Sequence, residues 1–317
     1  MGGFYGVKGK TLQRNYRESL SAFKDWNQRS HAKDWLLYPE NLGPQLSIYE
    51  TSLSHGELYT ILTNKAAKGK KGAIVAIIAG TKAETVIEVL QKIPEKLRMK
   101  VTEITLDIAG NMELIAKRCF RSAVRVTDRF HVQKLATEAL QEMRIKYRWE
   151  ALEAENEAID LARKAKKAFH AEVLSNGDTL KQLLARSRYV LYRRPDGWSE
   201  SQKERADLLF EKYPKLKQAY NLSLGLSNIF EKTHDKLYGL ARLAKWHEAV
   251  RQSGFKSFNT ISRSIQYHYQ TILNYFDSRS TNASAESFNA KIKAFRSQFR
   301  GVRNTEFFLY RLTQLYA

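Results

Sequence analysis

The run Gly72–Ile78 contains no charge, and its Ile, Val and Ala side chains leave neither face polar. A strand of that kind has to be covered on both sides, which predicts the interior of a sheet with other elements packed on it. Two more strand-like runs precede it, Gln45–Ser52 and Glu57–Asn64, separated by a Ser54-His55-Gly56 turn. Lys65–Lys71, with four lysines, reads as a solvated hairpin loop. Strands then alternate with helices. Thr81–Ile93 carries the stripe Val86, Ile87, Leu90 and is closed by Pro94. Val101–Ala109 reads as a strand followed by a helix through Phe120, and Ala123–Arg129 as a strand leading into a helix from about His131. Three adjacent strands followed by strand–helix units give an α/β chain with a mixed sheet flanked by helices.

Upstream, residues 12–36 read as helical, with Leu20, Phe23 and Trp26 three apart, until Asn41-Leu42-Gly43-Pro44 breaks the pattern. Downstream the signal is almost wholly helical, with interruptions at Ser175-Asn176-Gly177-Asp178 and Pro195-Asp196-Gly197. The expected division is an N-terminal helical segment 1–44, a first part of the core 45–150, a helical insertion 151–275, and a closing segment 276–317.

Charge points to a partner. Lys and Arg outnumber Asp and Glu by 53 to 33, a formal net charge of +20. Each cation that neutralises a phosphate releases a condensed counterion, so such a surface favours a nucleic acid; a merely basic soluble protein is the alternative. The longest apolar run, Ala73–Ala79, falls far short of the roughly 20 residues that span a bilayer, and MGGFYGVKGK lacks a secretory apolar stretch. The single cysteine, Cys119, excludes an internal disulfide, and the seven histidines lack zinc-type spacing. A cytoplasmic protein without a membrane partner is expected.

Phosphodiester chemistry asks for carboxylates that hold divalent ions, so Asp and Glu at strand ends are the candidates. Asp107 closes the apolar run Val101–Leu106, where it either projects from the carboxyl edge of a sheet or caps the next helix. Asp128 and His131 stand together at the following strand-to-helix junction, as Asp128-Arg129-Phe130-His131, which also suits a capping pair. Glu286 lies on a helical stretch whose apolar face is Phe288, Ile292 and Phe295; alone it reads as a solvated charge. No nucleotide-binding loop or nucleophilic triad is present.

Taken jointly, the segments carry a pattern. Leu46-Ser47-Ile48-Tyr49-Glu50-Thr51-Ser52 is followed by Thr105-Leu106-Asp107 and by Val126-Thr127-Asp128-Arg129-Phe130-His131. After a long gap come Asn282-Ala283-Ser284-Ala285-Glu286-Ser287-Phe288-Asn289 and Phe299-Arg300-Gly301-Val302-Arg303-Asn304. From about residue 45 to 317 this resembles bacterial insertion-sequence DDE transposases, in particular the ISL-three-type group, in which a DxxH motif accompanies the catalytic carboxylates. The resemblance implies an RNase H-like sheet, a helical insertion before the last catalytic helix, and a site for two Mg2+ or Mn2+ ions. It also implies DNA partners (element ends and target), a homo-oligomer on DNA, nucleoid association, and a separate DNA-recognition region upstream or in a companion protein.

Carried over by position, Asp107 matches the second catalytic aspartate and Glu286 the final glutamate, the two metal-holding carboxylates, with Asp128 and His131 beside them. The first aspartate position holds Tyr49. Its neighbour Glu50 does not replace it on a regular strand, because successive side chains point to opposite faces; only a bulge would re-aim it. Lys181, Arg186 and Arg188, in an acid-free stretch with Tyr189 and Tyr192, and Lys291, Lys293, Arg296, Arg300 and Arg303 after Glu286 are the expected DNA-backbone contacts.

Overall fold

The computed structural model describes Gly6 and residues 9–54, 56–298 and 304–317. The chain divides into two compact units, one of residues 1–128 and 280–317 and one of residues 129–279.

The first unit is built on a six-stranded sheet. Its strands are β1 (Trp35–Leu37), β2 (Gln45–Ser54), β3 (Glu57–Asn64), β4 (Ile74–Ala79), β5 (Glu103–Leu106) and β6 (Val124–Thr127), in the order β1-β4-β3-β2-β5-β6. β1 pairs antiparallel with β4, and β4, β3 and β2 form an antiparallel meander. β5 runs parallel to β2 and β6 parallel to β5, with the helix Gly110–Cys119 as the crossover that parallel neighbours require. The apolar β4 lies inside the sheet, one strand from its edge, as its composition demands.

Both faces are covered. Leu46, Ile48, Leu62, Val75, Ile104 and Leu106 pack against Val86 and Leu90 of the helix Ala83–Leu90 and against Met112 and Ile115 of Gly110–Cys119. On the opposite face Tyr49, Leu53, Ile61, Ile74 and Ile77 meet Ala285, Phe288 and Ile292 of the helix Ala283–Gln298 and Leu309 and Leu312 of Thr305–Tyr316. Each fully buried Leu, Ile or Phe contributes about 1.5–3 kcal/mol, so these layers fix where the Ala283–Gln298 helix lies on the sheet.

Two expectations are corrected here. Residues 12–36 do not form one helix. Helix Gly9–Asn15 passes into a wider π turn at Tyr16–Leu20, a single 3-10 turn covers Arg29–His31, and β1 follows. The spacing of Phe23 and Trp26 serves tertiary docking instead: Phe23 meets Phe307 edge-on with ring centroids 5.2 Å apart, and Trp26 meets Tyr310 at 5.4 Å. Leu20, the third member of the supposed stripe, is 76% exposed. The lysine loop after β3 is not uniformly solvated either, since the Lys65 side chain retains only 12% exposure.

The second unit is all-helical. It contains the 36-residue helix Arg129–Lys164 together with Pro214–Lys232, Lys236–Ser253 and Lys256–Tyr267, and its buried residues include Leu140, Leu216, Leu226, Trp246 and Phe258. Gly239 is required by packing: a Cβ there would stand 2.6 Å from the Phe276 ring. Its one fully buried carboxylate, Asp178, is held by Arg186 and, at 3.0 Å, by Arg205. The mixed sheet with flanking helices, and the large helical insertion between β6 and the closing helices, is the RNase H-like architecture expected from the sequence. Among the described residues no helix is long and apolar enough to cross a membrane.

Candidate active site

Strand register decides which side chains reach the site. Ser47 on β2 pairs with Thr105 on β5, and Thr105 with Val126 on β6. Alternation therefore sends Ser47, Tyr49 and Thr51 to the face that carries Glu103 and Thr105, and the chain continues beyond β5 and β6 into Asp107 and Asp128. On that face Thr51 Oγ1 donates to Asn289 Oδ1 of the Ala283–Gln298 helix at 2.6 Å. Glu50 points the other way, where its Oε1 accepts from Asn111 Nδ2 at 3.0 Å. The β2–β3 register shifts only between Ser52 and Ser54, so no bulge re-aims Glu50.

Asn282 joins the carboxylates. Its Nδ2 donates to Asp107 Oδ1 at 3.0 Å, its backbone N–H donates to Asp128 Oδ1 at 3.2 Å, and its carbonyl accepts from Glu286 N–H at 2.9 Å, opening the helix. One residue thereby binds both strand-end aspartates and starts the turn that carries Glu286. Asp128 is buried, Asp107 half-buried and Glu286 exposed.

Asp128 and Glu286 each offer a carboxylate oxygen, and these lie within 4.8 Å of one another. A second observation favours a cation there: Asn282 is 1% exposed, and its Oδ1 has no hydrogen-bond partner. Carboxylates and an amide oxygen suit a hard divalent ion.

The Tyr49 side is different. Its ring is 5% exposed, its hydroxyl lacks a hydrogen-bond partner, and it packs in one apolar cluster with Ala285 and Phe288, on either side of Glu286 in sequence. Burial, and then the Asp107 carboxylate, push the phenol well above its usual pKa, so it stays neutral.

Deeper on the same face, Lys65 Nζ reaches Glu103 Oε1 at 3.3 Å and Thr105 Oγ1 at 2.5 Å and also contacts Ser280 Oγ, which donates to Glu103 Oε1 at 2.5 Å. Burial pulls the Lys65 pKa down, and the Glu103 charge opposes that. This group ties the β3–β4 loop and β5 to the lead-in of the Glu286 helix. Sequence reasoning missed it because Lys65 is one of four lysines in the stretch 65–71 that looks like loop, and it gave Asn282 no role although Asn282 stands four residues before Glu286.

The expected DNA contacts fall in varied settings. Lys291 Nζ donates to the Gly69 carbonyl at 2.8 Å and Arg296 to the Leu53 carbonyl at 3.0 Å, while Lys293 is exposed. Lys181 is ion-paired with Glu155 at 2.7 Å, Arg186 with Asp178, and Arg188 lies 5.9 Å over the Tyr189 ring. Arg300 and Arg303 lie outside the described residues.

An RNase H-like sheet with carboxylates gathered at the ends of β5 and β6 and on a late helix defines the class of DDE polynucleotidyl transferases. A transposase family model of the ISL3 DDE type matches residues 46–312, and the chain belongs to that family. Transposases for insertion sequence element IS1557 from two strains of Mycobacterium tuberculosis are each 25% identical over 213 residues, covering 65% of this chain and 46% of the relative. The chain thus spans about half the length of the curated relatives it matches.

Proposed function

We propose that this chain is the catalytic region of an insertion-sequence transposase in which DNA cleavage and strand transfer are impaired by Tyr49. The observation that carries the reading is the position of the phenol, on the Asp107 face of the sheet and packed beneath the helix of Glu286. Asp107 and Glu286 would hold Mg2+ or Mn2+, with Asp128 and His131 beside them to orient or neutralise reacting groups. Bound divalent ions supply activation of the attacking oxygen and stabilisation of the leaving oxygen in phosphodiester transfer. A neutral phenol brings no charge and is a poor ligand for a hard cation. Glu50 is hydrogen-bonded on the opposite face and does not substitute.

In this reading 45–150 and 276–317 form the core, 151–275 is the insertion, and 1–44 packs on the C-terminal helix. DNA is the partner, gripped by a homo-oligomer through exposed cations such as Arg188 and Lys293, and recognition of the element ends resides in a separate region. The burial of Tyr49 also favours a second reading, a transposase-derived protein that binds DNA and regulates active copies without cutting. A strand-transfer assay on the element's own ends tests both. The first expects Tyr49→Asp to raise the rate by about a hundredfold or more, since each 1.36 kcal/mol of barrier is a factor of ten. Equal rates for the two proteins would remove Tyr49 as the cause of impairment, and no cutting by either would favour the regulatory reading.

A further inference from the structure

We infer that this site holds a single divalent cation, seated between Asp128 and Glu286, and that the Tyr49 side of Asp107 is closed to a second. The inference rests on the proposed function and revises one part of it: the carboxylates that seat the ion are Asp128 and Glu286, with Asp107 to the side. The observations that carry it all lie within the sheet unit.

The Asp128 and Glu286 carboxylates approach within 4.8 Å, close enough to share one ion. Asn282, whose main-chain N–H donates to Asp128, carries an oxygen that lacks a partner. Asn282 is tied at both ends of its main chain and at its Nδ2, so its side-chain amide cannot turn away, yet its buried Oδ1 accepts nothing. An unpartnered buried acceptor is costly, and a hard divalent ion satisfies an amide oxygen as readily as a carboxylate. Asp128 and Glu286, with the unpartnered Oδ1 of the residue that hydrogen-bonds both strand-end aspartates, are the oxygens offered to that ion.

The other side has no such set. A second ion, roughly 4 Å from the first, would need ligands from β2. Tyr49 offers a neutral hydroxyl on a ring that fills the space under Ala285 and Phe288, and Glu50 is turned to Asn111. Asp107 alone remains, with Oδ1 already accepting from Asn282. Lys65 and Glu103 offset one another and leave this count unchanged.

Titration of the full chain with Mn2+ alone, followed by electron paramagnetic resonance and calorimetry, tests the inference. One ion per chain is expected, with no spin coupling. Glu286→Gln, an exposed helical substitution that leaves the fold intact, should weaken binding roughly tenfold or more, and Asn282→Ala should weaken it measurably. Tyr49→Phe should still bind one ion, and Tyr49→Asp should bind two with a coupled spectrum. Two coupled ions on the unmodified chain would overturn the inference and leave the proposed function standing. Absence of binding by both the unmodified chain and Tyr49→Asp, with cooperative melting retained, would overturn both.

Discussion

Asn111 Nδ2 donates to Glu50 Oε1 at 3.0 Å and to the Thr81 carbonyl at 3.1 Å, fixing the only carboxylate of β2 on the face away from Asp107. The adjacent Tyr49 occupies the Asp107 face. Because alternation along a regular strand separates them, Glu50→Gln in a Tyr49→Asp background should leave strand transfer within about twofold, well under one 1.36 kcal/mol decade. A loss beyond tenfold in the same assay would mean that Glu50 reaches the site.

The Lys65–Glu103 pair gives a stability prediction. Both side chains are nearly buried, at 12% and 8% exposure. Lys65→Met would leave the Glu103 carboxylate buried without its counter-charge and should cost about 3–5 kcal/mol, whereas removing both charges with Lys65→Met and Glu103→Met should recover most of that. Urea denaturation of the two variants measures the difference. Equal losses would mean that packing, not charge pairing, holds this corner.

Acid should destabilise the helical unit through Asp178. Burial alone would raise its pKa, but hydrogen bonds from Arg205 and Arg186 prevail and hold it below the usual value. A carboxyl whose pKa is lowered by folding contributes its full stabilisation above the ordinary carboxylate range and loses it as pH falls through the folded value. Asp178→Asn should therefore flatten the loss of stability below about pH 4 while costing about 2 kcal/mol at neutral pH, less than a fully buried pair because Arg186 remains exposed. Denaturation at a series of pH values provides the check.

Cations differ in what they can give to DNA. Lys293 is exposed, whereas Lys181 is paired with Glu155 at 2.7 Å. Lys293→Ala should reduce the slope of log affinity against log salt by about 0.9 on any duplex sequence, and Lys181→Ala should reduce it by much less. Binding isotherms at several salt concentrations separate the two, and equal changes would show that the Lys181–Glu155 pair opens on DNA.

Much of this was legible beforehand because periodicity and motif spacing are local signals. The unbroken run before Ala79 declared an interior strand, and alternation alone put Tyr49 and Glu50 on opposite faces. Contacts between distant segments were not legible. Phe23 and Trp26 mimic a helical stripe because they dock on Phe307 and Tyr310, far along the chain. Lys65 looks like loop until Glu103 and Ser280 are brought to it, and β1 is too short to announce itself without β4 beside it. Asn282 was visible as a letter in a motif, but its role depends on two strand ends that only the fold brings to it.

The ring at position 49 also sets two demands on the protein against each other. An aspartate there would add a further acidic group near Asp107 and remove an aromatic side chain from a packed cluster. Crowded carboxylates repel until a cation arrives, so an arrangement fit for cutting is a strained resting state. Tyrosine relieves that strain with apolar contact. On the proposed reading, aspartate at this position would make the resting protein depend on bound metal for what the ring now supplies unaided.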